Sequence, residues 1–462
     1  MTLEPLWAAS TVELADAIRS GSVSSVEAVE ACLARIDVVN PALNAVVARA
    51  PDALERARAS DERRARGHLD GPLHGVPFTI KDSNDTAGLV TTAGTVGWRD
   101  RVPDRDGTVV ARLKAAGAIL LGKTNTPEFT WSDETDNDVY GRTSNPYDLE
   151  RTPGGSSGGS AAIVAAGGAP FDIGSDTGDS IRQPAHVCGI AGLKPTQGRV
   201  PRTGHWPGFE GIVASLTQLG PLARRVDDLA LLLPIVAGPD GIDPHVVPAP
   251  LGDPNRVDVA GLRVVAFTDN GIRSPTRETA AAIETAAAAL GATGATMIRA
   301  VPPDLEEAWQ AWFDIVRSDG HAWLERLITA AGTPGRGSYD TRGWVTFEAP
   351  VSGDELTARL ERADRIRSRL LQWFRDADLI LCPVMPQPAI RHGESNADWF
   401  GDTYSDVHNL TGWPAAVVRA GTSDDGLPIG VQLVAHPWRE DVALAAAKVV
   451  EAATGGWQPP AL

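Results

Sequence analysis

Residues 153–182 read PGGSSGGSAAIVAAGGAPFDIGSDTGDSIR. Two Gly- and Ser-rich loops flank a run of small apolar residues, AAIVAA at 161–166, and a short strand-like piece, PFDI at 170–173. Glycine opens backbone conformations that other residues resist and lets a chain approach its neighbour closely. The apolar pieces argue against a flexible linker, which would be polar throughout. The pattern predicts a helix over 157–167 and a strand over 169–173, with serines in the loops at their ends. Loops placed this way are held by the scaffold and commonly carry function.

A Gly-rich loop before a helix also suits a phosphate. The loop lacks the lysine that a P-loop would place after it. Residues 117–124, GAILLGKT, do satisfy the GxxxxGK[ST] spacing. Their centre, Ala118, Ile119, Leu120 and Leu121, is apolar and reads as a buried strand, whereas a phosphate cradle needs a wound loop with free N–H groups. Nucleotide binding is set aside on that ground.

Outward from the loops, strands alternate with helices. Strand Val76–Ile80 delivers Lys81. Helix 108–116 and strand 118–121 follow. Beyond 182 come helix 226–237, strand 262–267, helix 276–290, helix 355–375 and strand 378–382. Strands 415–419 and 429–434 and helix 440–453 complete the series. Upstream, Ser10 with Glu13 and Ser24 with Glu27 fit capping boxes, Gly21 ends the first helix, and 55–66 reads as an exposed helix face. This alternation predicts an α/β fold: one large domain over 1–462, with a mixed, mostly parallel sheet covered on both sides by helices. Residues 238–257, GPDGIDPHVVPAPLGDPNRV, hold five prolines and three glycines and read as a surface connection within that domain.

The 462 residues carry 42 Lys and Arg against 59 Asp and Glu, a net charge of −17. Such a chain repels nucleic-acid phosphates and anionic lipid surfaces, so no nucleic acid and no membrane is expected as a partner. The N-terminus, MTLEPLWAAS, lacks the basic and apolar regions of a signal peptide, and no apolar run reaches the ~18 residues of a membrane span. The expected location is cytoplasmic. Cys32, Cys188 and Cys382 have no metal-ligand spacing and read as packed reduced thiols. The nine histidines form no HExxH or HxH. No metal and no cofactor is expected.

Hydrolysis needs a nucleophile, a base and oxyanion donors. No Gly-x-Ser-x-Gly elbow is present, but serine with a lysine base is a known variant. Lys81 follows the apolar VPFTI, and burial lowers a lysine's pKa towards what a neutral base needs. Read alone, Lys81 fits a structural lysine paired with Asp82 better than a base.

The chain resembles the amidase signature family in five segments: LHGVPFTIKD at 73–82, GKTNTPEF at 122–129, GGSSGGSAA at 154–162, GSDTGDSIRQPA at 174–185 and GLKPTQGRV at 192–200. The match is strongest over roughly 70–220. It implies a Ser–cis-Ser–Lys triad, with Lys81 as base, Ser156 as the bridging residue on a cis peptide and Ser180 as nucleophile. It also implies an oxyanion hole from the backbone N–H groups of Thr177, Gly178, Asp179 and Ser180. The family most often has glycine where this chain has Asp179, so its carboxylate is expected to turn away from the acyl pocket.

What the resemblance implies is hydrolysis of a small-molecule amide or carbamate. Small-to-medium hydrophobic or aryl amides are favoured, with esters open and a glutaminase-type component of an amidotransferase complex as the alternative. Of thirteen tryptophans, Trp131, Trp206, Trp399 and Trp413 sit in irregular stretches. Trp131 and Trp206 are the candidates for lining an apolar substrate pocket. A homodimer is left open.

Overall fold

The computed structural model describes residues 5–395 and 401–462. Eleven strands form two sheets. They are β1 (Val46–Arg49), β2 (Pro77–Lys81), β3 (Ile119–Thr124), β4 (Phe171–Asp176), β5 (Ala191–Lys194), β6 (Gln218–Ala223), β7 (Arg263–Ala266), β8 (Thr296–Arg299), β9 (Leu379–Pro383), β10 (Ala415–Thr422) and β11 (Pro428–Ala435). The small sheet runs β1-β3-β2 and the large one β4-β6-β5-β10-β11-β9-β7-β8.

The large sheet is mixed, as expected, but not mostly parallel. Only β7–β8 and β7–β9 run parallel; the other neighbours are antiparallel. Helix–strand alternation implies parallel pairing only when the strands on either side of a helix become neighbours. Here β6 separates β4 from β5, and a five-residue turn joins β10 to β11, closed by Ser423 N–H on Leu427 O at 2.8 Å. So short a connection makes that pair antiparallel.

Helices cover both faces of the sheet, and strand periodicity shows how. Val264, Leu379 and Leu381 point into one core with the helices Arg277–Ala292 and Glu440–Thr454. Their alternates, Val265, Ile380 and Cys382, point into another with Leu305–Val316 and Gly353–Phe374. Side chains one residue apart on a strand face opposite ways. Both capping boxes form, and Gly21 ends its helix at φ +79°. The helix Ala53–Ala65 accounts for the charged 55–66 stretch. Residues 238–257 hold only a short 3₁₀ turn (Pro254–Arg256); Arg199 ties them to the core by donating to Ala249 O and Pro250 O at 2.7 and 3.1 Å.

Two junctions position the serine loops. Phe78 of β2 stacks on Phe171 of β4, centroids 5.5 Å apart, so the small sheet lies against the edge of the large one. Between them runs the helix Gly158–Ala165, every residue buried. A Cβ on Gly159 would sit 2.4 Å from Asn125 N, so only glycine lets this helix approach the end of β3. The GAILLGKT match is that buried strand itself: Lys123 Nζ is turned inward onto Asn84 O and Thr86 Oγ1. All three cysteines are buried and free. Among the described residues, no helix is long and apolar enough to cross a membrane.

Candidate active site

β2 is buried along its whole length and ends at Lys81, itself fully buried. Lys81 Nζ is hydrogen-bonded to Ser156 Oγ at 2.6 Å, Ser157 Oγ at 3.0 Å and Ser175 Oγ at 3.0 Å. Burial holds the amine well below the ordinary lysine range, while the nearby Asp172 and Asp176 oppose that shift. A neutral amine has two N–H groups and one lone pair, so with three hydroxyls around it one of them donates to the nitrogen. That is the arrangement a proton relay needs. Lys81 does not pair with Asp82. The Asp82 carboxylate instead accepts from Thr92 Oγ1 at 2.5 Å and Thr92 N at 3.0 Å, with Lys123 Nζ 4.0 Å away.

Gly155–Ser156 is a cis peptide, as the resemblance implies. The next residue ties the two serine loops together, because Ser157 N–H donates to Ser180 O at 3.2 Å. The second loop begins where β4 ends. Asp176 accepts from Ile181 N and from Arg182 Nε and Nη2, the side-chain bonds at 3.0 and 2.9 Å. Arg182 also reaches Gly178 O at 2.5 Å, and Asn409 Nδ2 reaches Asp176 Oδ1 at 2.9 Å. Burial alone would raise the Asp176 carboxyl; Arg182 brings it net below the usual range. The short turn Thr177–Ser180 is thus pinned at both ends by groups that are fully buried.

That turn borders a cavity of about 1050 Å³, counted with its open mouth. Ser180 keeps 9% of its surface exposed there. Trp131, Trp312, Phe313 and Trp344 also line it, mixed with polar residues that include Ser132, Asp133, Arg317 and His321. Trp131 follows two residues in left-handed backbone, Phe129 (φ 45°) and Thr130 (φ 60°). A β-branched residue rarely adopts that region. It is held by Phe129 N–H on Ala93 O and by Glu128, whose carboxylate accepts from Ser338 N and Oγ at 2.8 and 2.7 Å.

One expectation about this site needs correction, and other singled-out residues need placing. Trp206 does not line the cavity. It packs edge-on to Trp98 at 4.9 Å and donates Nε1–H to Asp85 at 2.9 Å, with Arg101 over its ring. Trp413 packs against Phe374 in the core, and Trp399 lies outside the described residues. Asp179 belongs to the turn Thr177–Ser180, all four residues of which border the cavity. It is 1% exposed, and its carbonyl accepts from Gln183 N–H at 2.7 Å. Sequence reading missed Ser157 and Ser175 as partners of Lys81, and Trp312, Phe313 and Trp344 as cavity walls. Ser157 and Ser175 stand next to motif residues; the three aromatic residues lie far along the chain with no local signal.

A family model described as Amidase matches residues 27–444. An indoleacetamide hydrolase of Bradyrhizobium diazoefficiens is 38% identical, over 98% of this chain and 87% of the relative. A glutamyl-tRNA(Gln) amidotransferase subunit of Chloroflexus aggregans is also 38% identical, over 92% of each. The substrate complex of a 6-aminohexanoate cyclic dimer hydrolase superposes with a TM-score of 0.87 at 31% identity, over 99% of each chain. The chain belongs to the amidase signature family and is an amide-hydrolysing enzyme.

Proposed function

We propose that the protein hydrolyses small-to-medium aromatic amides through an acyl-enzyme on Ser180. The observation that carries this reading is the fully buried Lys81 amine 2.6 Å from Ser156 Oγ, behind a loop whose Ser180 borders an aromatic cavity. Neutral Lys81 takes the Ser156 proton as Ser156 takes the Ser180 proton, and Ser180 Oγ attacks the amide carbonyl. The N–H groups of Thr177, Gly178, Asp179 and Ser180 hold the oxyanion. On collapse the C–N bond breaks and the relay returns the proton to the departing nitrogen, releasing ammonia from a primary amide or an amine from a substituted one. Water then repeats the sequence on the ester, releasing the acid and restoring Ser180.

The aromatic walls and the similarity to an indoleacetamide hydrolase support arylacetamides as the first substrates to try. Esters and carbamates present the same carbonyl to the same relay and extend the proposal. Similarity to the amidotransferase relative supports a second reading, glutamine hydrolysis for a partner. The aromatic walls favour the first.

The test is a panel of phenylacetamide, indole-3-acetamide, 4-nitroacetanilide and glutamine, with matched phenylacetate ester and carbamate. The isolated chain should turn over at least one arylacetamide, and Ser180→Ala should abolish both turnover and fluorophosphonate labelling. Turnover of glutamine alone, and only with a partner present, would replace this reading with the second.

A further inference from the structure

We infer that Trp312, from a helix outside the shared motifs, is a positioning residue that aims the Gly178 N–H at the oxyanion. This rests on the reading of Ser180 as nucleophile and Thr177–Ser180 as oxyanion loop. Trp312 lies on the helix Leu305–Val316, more than a hundred residues beyond Ser180. Its Nε1–H donates to Thr177 O at 3.0 Å. Among the described residues the only cis peptides are Gly155–Ser156 and Trp206–Pro207, so Thr177–Gly178 is trans. In a planar trans peptide the C=O and N–H point in opposite directions. Fixing the Thr177 carbonyl on Trp312 therefore fixes the Gly178 N–H on the opposite side.

The same peptide is clamped sterically. A Cβ on Gly178 would lie 3.3 Å from Trp312 Cζ2 and 2.5 Å from Asp406 Oδ1. The indole edge and the Asp406 carboxylate leave room for a hydrogen and nothing larger. Thr177 Oγ1 adds a third hold through Thr217 Oγ1 at 2.9 Å. The helix carrying Trp312 cannot easily yield, since Trp312, Ile315 and Val316 share one core with Ile366 and Leu370. Trp312 also forms part of the cavity wall.

Trp312→Phe keeps a ring and removes the N–H. A donor lost outright from an oxyanion hole costs roughly 10²–10³ in rate. A donor left in place but free to tilt should cost about 10–100-fold in kcat, with KM for the best arylacetamide of the panel nearly unchanged. Inhibition by the trifluoromethyl ketone of matched acyl group, which forms a tetrahedral oxyanion on Ser180, should weaken by the same factor. In a Ser180→Ala background the affinity for that arylacetamide should not move. Should Trp312→Phe fail to fold, Gly178→Ala puts a methyl against Asp406 and should show the same split. Equal losses of ground-state and tetrahedral binding would reveal a structural role and overturn the inference. Wild-type kcat in Trp312→Phe, with Ser180→Ala inert, would overturn it while leaving the nucleophile assignment standing. Turnover surviving in Ser180→Ala would instead overturn the reading on which it rests.

Discussion

Ser157 N–H donates to Ser180 O at 3.2 Å, while Ser157 Oγ accepts from the same Lys81 amine that reaches Ser156 Oγ. One residue therefore bonds both to the loop bearing the proposed nucleophile and to the proposed base. Ser156 and Ser157 are adjacent and both touch Lys81, but the shorter contact, 2.6 against 3.0 Å, belongs to Ser156.

Ser156→Ala should lower kcat/KM by about 10²–10⁴, the usual contribution of positioned acid–base catalysis. Ser157→Ala and Ser175→Ala remove hydroxyls from the same amine without breaking the relay and should cost less. Steady-state kinetics on one arylacetamide across the three variants decides it. A Ser157→Ala defect larger than that of Ser156→Ala would move the relay to Ser157.

The pH profile follows from the burial of Lys81. With Lys81 as the proposed base the active form is the neutral amine, so activity should fall as pH drops through the folded lysine's pKa. Burial lowers that pKa, and so carries activity to lower pH than an ordinary lysine would allow. Asp172 opposes burial by stabilising the ammonium, and its own carboxyl is pushed up by burial to about 6. Above that pH it is charged. Asp172→Asn should therefore lower the Lys81 pKa further and shift the acid limb of log(kcat/KM) to lower pH. A shift of the limb to higher pH would contradict the assigned sign.

The proximity of Lys81 to Ser156 was legible through the resemblance, whose segments are short and local. Lys81 ends an apolar strand, and Ser156 and Ser180 sit in loops bounded by a small-residue helix. Each motif is readable by itself, but it took all five segments together to join the lysine to the serines. The cavity was not legible, because its walls meet only in the folded state. Trp312 and Trp344 come from distant segments, and the helices Leu305–Val316 and Ala322–Ala331 start at Asp304 (φ 59°) and His321 (φ 62°) without a side-chain cap. With no capping signature, neither helix announces its start. Strand direction was also hidden: helix–strand alternation says nothing about which strands become neighbours once β6 inserts between β4 and β5.

Arg182 and Asp176 are both fully buried and doubly bonded. Arg182→Met leaves the Asp176 carboxylate without its cation, and breaking one side of such a pair should cost about 3–5 kcal/mol. Urea denaturation measures the loss. Replacing both residues with apolar ones should destabilise less than the single change, because no lone charge remains buried. A double variant as unstable as the sum of its singles would show that the two residues act independently.

The aromatic cavity makes the sharpest test of substrate preference, since one of two sequence-candidate tryptophans lines it and the other does not. Trp131 forms a cavity wall and meets Trp323 edge-on at 4.9 Å. Trp206 is engaged with Asp85, Trp98 and Arg101 instead. Trp131→Leu should lower kcat/KM for phenylacetamide about 10-fold relative to acetamide, the scale of one lost aromatic contact of ~1.4 kcal/mol. Trp206→Phe removes the bond to Asp85 and should cost ~1 kcal/mol of stability. It should leave the phenylacetamide-to-acetamide ratio where it was. If both variants shift the ratio alike, the preference comes from general loosening of the fold and the cavity is not where the aryl group binds.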